Sequence, residues 1–180
     1  CSSDLKDDLV HFRTLHSFAY RGLPVDRNNL MKSKHWKELS SLIGFDLVFD
    51  TNDDSIYSNS NHKFVNLINM SRLQDISLED AWNSGDHTIN WPKLDYLNRC
   101  IIDYKKENNL FDFTDMIINY TTDTFSTQFD VLFIDEAQDL SLMQWNMAKT
   151  IWDKTEDSFI AGDDDQAIFR WAGADVNRFI

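Results

Sequence analysis

Two short apolar runs, each ending in a cluster of acids, constrain this chain more than any other feature. The first is Val131-Leu132-Phe133-Ile134, followed at once by Asp135-Glu136-Ala137-Gln138-Asp139. A wholly apolar run this short predicts a strand buried on both faces, the pattern of a parallel sheet covered by helices. The second, Ser158-Phe159-Ile160-Ala161, ends in Gly162 and the polar turn Asp163-Asp164-Asp165-Gln166. Between them, Leu140 to Trp152 has the spacing of an amphipathic helix, with Leu140, Met147, Ala148, Ile151 and Trp152 as its expected buried stripe. A helix of that kind is the crossover that returns a second strand parallel to the first. Both acidic clusters then sit at the carboxyl ends of strands, where open α/β sheets place their ligands. The expected fold class is α/β. Two strands delivering acids and a glutamine to one edge outline a nucleotide-hydrolysing site.

VLFIDEAQD followed by FIAGDDDQAIFRWAGAD resembles the second and third conserved motifs of superfamily 1 DNA helicases of the UvrD/Rep/PcrA kind. Thr14-Leu15-His16-Ser17-Phe18 resembles the family's TxHSF motif, and Phe111-Asp112-Phe113-Thr114-Asp115-Met116 its DFxDhh element. The motifs stand in the family's order and anchor both ends of the chain. The resemblance implies a P-loop NTPase, a RecA-like motor domain made of residues 1–21 and 110–180, with a mainly helical inserted subdomain over residues 22–109. It implies an ATP-dependent helicase of 3′-to-5′ polarity, using ATP and Mg²⁺ on single-stranded DNA and duplex junctions beside replication or repair proteins. The helicase part of a RecB/AddA-like helicase–nuclease is the nearest alternative. A degenerate, non-catalytic module that binds DNA or protein is the alternative of a different class.

Phosphoryl transfer from ATP is mostly positioning and charge neutralisation, so a site needs Mg²⁺, a group that orients water, and cationic clamps. Asp135, at the strand tip, is placed to hold Mg²⁺ through its water shell. Glu136 beside it is the candidate to take the proton from the attacking water. Gln166 both donates and accepts, and so suits contact with a γ-phosphate or that water. The aspartates at 163–165 lack the spacing, glycine and final glutamate of an EF-hand calcium loop. No GxxxxGK[ST] phosphate loop occurs. The resemblance puts that loop before TxHSF, so this reading expects it upstream of Cys1 and treats the chain as a fragment.

Phe169 and Trp171 stand two apart, and in an extended segment they point the same way as a platform on which any unpaired base stacks. On the residues alone, core aromatics are the commoner reading. The family's frequent arginine after this tryptophan is Ala172 here. Val10 to Leu15 reads as a short strand, with Ser17 as N-cap of a helix stopped by Gly22 and Pro24. That puts His16 at a strand-to-helix junction, where a satisfied structural histidine is the usual outcome. The resemblance makes Thr14 and His16 candidate contacts for single-stranded DNA.

In the middle of the chain, residues 28–43, 64–73, 77–83 and 91–106 read as helices, and Phe45 to Phe49 as an edge strand. Thr51 to His62 reads as an exposed loop. Asp112 and Asp115 share one face of a helix running from Phe111 to Tyr120, where acids near an N-terminus are favourable in themselves. The formal net charge is −13, which by itself opposes binding to phosphates. From His11 to Lys37, however, six basic residues face one acid. Two cysteines make neither a disulfide framework nor a zinc set, so a reducing, cytoplasmic setting is the default. No apolar stretch is long enough to span a membrane. With no phosphate loop of their own, these 180 residues by themselves are expected to show no steady-state ATP hydrolysis. Turnover by highly purified chain in a phosphate-release assay overturns that expectation.

Overall fold

The structure, a computed structural model, describes residues 13–47, 62–85, 88–122, 128–163, 165 and 174. Its helices are α1 (Leu15–Gly22), α2 (Ser33–Ile43), α3 (His62–Leu73), α4 (Leu78–Ser84), α5 (Trp91–Glu107) and α6 (Phe113–Thr122). Then come β1 (Phe129–Ile134), α7 (Leu142–Trp152) and β2 (Thr155–Ile160). Single 3-10 turns lie at Arg27–Asn29 and Ala137–Asp139. The architecture is α/β and rich in helix, with one small sheet among the described residues.

Local sequence explains most helix starts. Ser77 Oγ accepts from the Asp80 amide at 3.0 Å, and Asn90 Oδ1 from the Lys93 amide at 3.1 Å, with Pro92 in the first turn of α5. Each satisfies an amide that the helix itself leaves unpaired. For α1 the cap is Thr14, whose Oγ1 accepts from the Ser17 amide at 3.2 Å. Ser17 therefore lies inside the helix, and Leu15, expected in a strand, opens it. Thr14 and Ser17 are both capping types three residues apart, and composition does not choose between them. Residues 10–12 of the expected strand, and the loop over residues 51–61, lie outside the described residues. Phe45 to Leu47 carries no strand.

Two main apolar cores form. The first gathers Leu39, Leu47, Val65, Ile68, Ile89, Leu94, Leu97, Ile101, Tyr104 and Leu110 from α2, α3, α5 and their loops. Trp82 and Trp91 pack on its flank with ring centroids 5.4 Å apart. The second joins Ala19 and Leu23 of the α1 region, Met116, Ile117 and Tyr120 of α6, and Met143, Met147 and Ile151 of α7. α1 ends at Gly22, where a Cβ would come within 2.9 Å of the Tyr120 ring, so the close approach of α1 to α6 needs a glycine. Trp152, expected inside, is exposed, as is Ile102 of α5.

The cores are joined by buried charge. Arg72 of α3 donates to Asp112 at 2.8 Å and to Asp115 at 2.5 Å, while Lys105 of α5 reaches each of the same two carboxylates at 2.7 Å. The two acids also accept from each other's backbone amides at 2.8 Å. Lys105, placed near a helix end by its sequence position, is thus a buried ion-pair partner and not a solvated cation facing the helix dipole. Nearby, Phe111 is stitched to the segment before α2 by a bridge to Leu30.

β1 and β2 pair in parallel, with Val131 opposite Asp157 and Ile134 opposite Ile160. Their burial differs from the expectation of two covered faces. Leu132, Ile134 and Ile160 turn toward the helices, but Phe133 is 73% exposed, and Val131 and Phe159 also face outward. Phe133 and Phe159 stack on that open side with centroids 5.0 Å apart. The all-apolar run therefore forms a strand covered on one face, because helices of the described residues pack on one side only.

Burial disfavours a charged Asp112, but hydrogen bonds and charge from Arg72, together with the Lys105 ammonium, outweigh it and hold the carboxyl well below the usual carboxylate range. Lys105→Met leaves Asp112 and Asp115 sharing Arg72 alone and should cost about 1–3 kcal/mol at pH 7 in urea denaturation, since each carboxylate loses one of its two cations while its side chain stays 19% or 21% exposed. A depressed carboxyl contributes stability above its unfolded value and loses it as pH falls toward the folded one. The difference between parent and variant should therefore shrink below about pH 4. An equal difference at pH 7 and pH 3 removes the charge cluster as its cause.

Candidate functional site at the carboxyl ends of the paired strands

The parallel register brings the ends of β1 and β2 side by side, and backbone bonds carry the pairing beyond them. The Ala161 amide donates to Ile134 O at 2.8 Å, and the Ala137 amide donates to Ala161 O at 3.0 Å. Asp135 follows β1 directly and is exposed. Its Oδ1 accepts from the Glu136 amide at 3.0 Å, which fixes the carboxylate at the strand tip.

Glu136 is exposed and has a left-handed backbone, with φ 53° and ψ 42°. A non-glycine residue there carries strain on the order of 1–3 kcal/mol, and such strain gathers where a side chain must be aimed. The twist turns the chain sharply into the Ala137–Asp139 turn, whose Asp139 amide donates back to Glu136 O at 3.0 Å. Ser141 then opens α7 with a reciprocal cap: its amide donates to Gln144 Oε1 at 2.9 Å, and its Oγ accepts from the Gln144 amide at 3.3 Å. An isolated antiparallel bridge ties Ser141 to Ala174.

The side chain that joins the two acidic clusters is Gln138, which is 1% exposed. Its Nε2 donates to Glu136 Oε2 at 2.6 Å, and its Oε1 accepts from the Asp163 amide at 3.0 Å. Asp163 Oδ1 in turn accepts from the Asp165 amide at 3.1 Å. Sequence reasoning counted Gln138 as one more polar residue of the first cluster and gave it no role. The available signal was a neutral amide between charged neighbours, on the turn facing the second cluster. One oxygen of Asp139 is buried and has no hydrogen-bond partner among the described residues.

Asp135, Glu136 and Asp163 are hard oxygen donors, which suit Mg²⁺. Among the described residues no group of three acids, histidines or cysteines is close enough to form a metal cage. The candidate residues Gln166, Phe169 and Trp171, with Ala172, lie outside the described residues.

Thr14 and His16 stand at the start of α1. Thr14 is exposed and caps α1. His16 lies in the first turn of α1, edge-on to Phe113 at a centroid distance of 5.9 Å. Burial lowers its pKa from the ordinary histidine value, which favours the uncharged ring packed against Phe113. Phe113 itself is 65% exposed. His16 and Phe113 thus present an aromatic pair at the surface, a pairing across 97 residues of sequence that no local pattern announces.

A family description, the UvrD/REP helicase N-terminal domain, matches residues 4–180. Over 194 aligned positions, covering 94% of this chain and 35% of the relative, the chain is 28% identical to a probable DNA helicase of Mycoplasma pneumoniae. It is 29% identical to the ATP-dependent DNA helicase Rep of Buchnera aphidicola over 42% of the chain and 13% of that relative. With the ATP-dependent DNA helicase PcrA of Bacillus subtilis it shares 28% identity over 43% of the chain and 12% of the relative. The chain thus spans at most about a third of the length of these proteins.

Proposed function

Because this chain belongs to the UvrD/REP helicase family through its N-terminal domain, we propose that it is the ATP-site portion of an ATP-dependent DNA helicase. The protein would couple ATP hydrolysis to 3′-to-5′ movement along single-stranded DNA and to opening of duplex junctions. Residues 1–21 and 110–180 would belong to a P-loop, RecA-like motor domain, and residues 22–109 to a helical insertion. The setting would be cytoplasmic, beside replication or repair proteins. No helix of the described residues is long and apolar enough to cross a membrane.

One observation carries the reading. The acids after β1 and the loop after β2 meet at a single sheet edge, linked through one buried amide. In the proposed chemistry Asp135 holds Mg²⁺ through its water shell, and the bound cation neutralises charge on the phosphate oxygens. Glu136 accepts the proton of the attacking water. Gln166, a few residues beyond Asp163, contacts the γ-phosphate or that water. Phe169 and Trp171 offer stacking surfaces to unpaired bases, and Thr14 and His16 make further DNA contacts, with Phe113 beside His16 as an added ring. The 180 residues contain no GxxxxGK[ST] loop, so hydrolysis at this edge requires one from elsewhere in the intact protein.

Glu136→Gln preserves size and hydrogen bonding but removes the proton acceptor. In the intact protein it should bind ATP and single-stranded DNA nearly as the parent does, while hydrolysis falls by roughly 10²–10⁴-fold. Strand separation should fall with it. Asp135→Asn should also lose Mg²⁺-dependent nucleotide affinity. Parental rates in Glu136→Gln would remove that residue from the mechanism, and an intact parent without DNA-stimulated hydrolysis would favour a non-catalytic module.

Trp171→Ala should weaken binding to single-stranded DNA by about 1–3 kcal/mol, the range for one stacked base, with ATP binding almost unchanged. Fluorescence anisotropy with a labelled oligonucleotide measures this. An unfolded variant whose folded fraction binds DNA normally would assign Trp171 to the core instead.

A further inference from the structure

We propose that Gln138 is the positioning residue of this site: one buried amide aims the Glu136 carboxylate with its nitrogen and holds the loop after β2 with its oxygen. The inference rests on the reading of Glu136 as the proton acceptor. The two bonds, 2.6 Å to Glu136 Oε2 and 3.0 Å from the Asp163 amide, admit only one orientation of the amide. The backbone N–H must meet the oxygen end, and the ionised carboxylate, which only accepts, must meet the nitrogen end.

Few side chains satisfy that pair of demands. Glutamate in its charged form offers no donor, lysine no acceptor, and methionine neither of useful strength. Asparagine has both but is one methylene shorter. The Gln138 side chain is 1% exposed, so water reaches the two bonds only from the Glu136 and Asp163 side, and a bond shielded even in part is electrostatically stronger than one at the open surface.

The backbone of Glu136 explains why a positioning group is needed. Its left-handed conformation sends the side chain away from the path a regular strand end would give it. The exposed carboxylate has only Gln138 as a hydrogen-bond partner among the described residues. Without that bond the carboxylate rotates freely about its side-chain torsions, and a base off its line of attack by about 1 Å loses on the order of 10²-fold in rate. The ends of the strands are tied independently by the Ala137–Ala161 backbone bond at 3.0 Å. Removing the Gln138 amide therefore releases the carboxylate and the Asp163 amide while leaving the strand pairing in place.

The test is a double-mutant cycle in the intact protein, with Gln138→Met as the volume-conserving change and Glu136→Gln as its partner. Gln138→Met alone should lower kcat for DNA-stimulated hydrolysis by roughly 10²-fold with KM for ATP within about twofold. In the Glu136→Gln background the same change should lower kcat no further, because there is no longer a base to aim. Amide hydrogen exchange at Asp163 should accelerate in Gln138→Met, with or without nucleotide. Gln138→Asn, too short to span both partners, repeats the cycle if the methionine variant does not fold. Equal losses in both backgrounds, a parental kcat in Gln138→Met, or unchanged exchange at Asp163 each overturn the proposal. If Glu136→Gln collapses hydrolysis and Gln138→Met does not, this inference alone fails. If Glu136→Gln itself hydrolyses at the parental rate, the underlying reading fails first and this one with it.

Discussion

Four mutually paired charges, largely shielded from water, hold this molecule in one arrangement. Arg72 and Lys105 come from helices whose apolar faces build the first core, while Asp112 and Asp115 open the helix that runs into the second. Each carboxylate accepts from both cations, so no single pair is self-sufficient. Desolvating a lone charge is expensive, and a set of four is tolerated only when every member is in place. The cluster is therefore a geometric constraint more than a source of net stability. It sets where α6 begins relative to α3 and α5. From that point α6 packs on α1 and α7, and α7 leads into β2, so the acidic edge inherits its position from charges outside it.

The acidic edge was legible in the sequence because its cause is local. An apolar run followed by acids, repeated after a helix, predicts two parallel strands with both clusters at one end, and β1 and β2 have that arrangement. What escaped was the environment around the pattern. Val131, Phe133 and Phe159 look like residues of a doubly covered sheet, yet a run of apolar residues shows that a face is suited to burial, not which neighbour covers it. The same limit applies to α6. That Asp112 and Asp115 share a face follows from helical spacing, but Arg72 lies 40 and 43 residues away from them. No period in the sequence connects those positions, and the favourable interaction of acids with a helix N-terminus was a sufficient local explanation.

Smaller differences have equally specific origins. Thr14 displaced Ser17 as the cap because the helix begins three residues earlier than the pattern suggested, and the hydroxyl that acts is the one preceding the first turn. Met116, Ile117 and Tyr120 fill the side of α6 toward α1 and α7, and Phe113 is left exposed. Gln138 passed unnoticed since its role depends on a loop 25 residues downstream. Gln166, Phe169 and Trp171 fall outside the described residues, and their assignments rest on the motif they belong to.

The open aromatic side of the sheet has a consequence for handling the polypeptide. Phe133 and Phe159 lie stacked on a face with Val131 beside them, and each strand has an unpaired edge among the described residues. Flat, apolar, edge-bearing strands are templates for pairing with other chains. Taken as an isolated polypeptide, these residues present an apolar strand face of the kind that favours association between chains. The choice of boundaries for recombinant production is then a question of colloidal behaviour before it is one of enzymology.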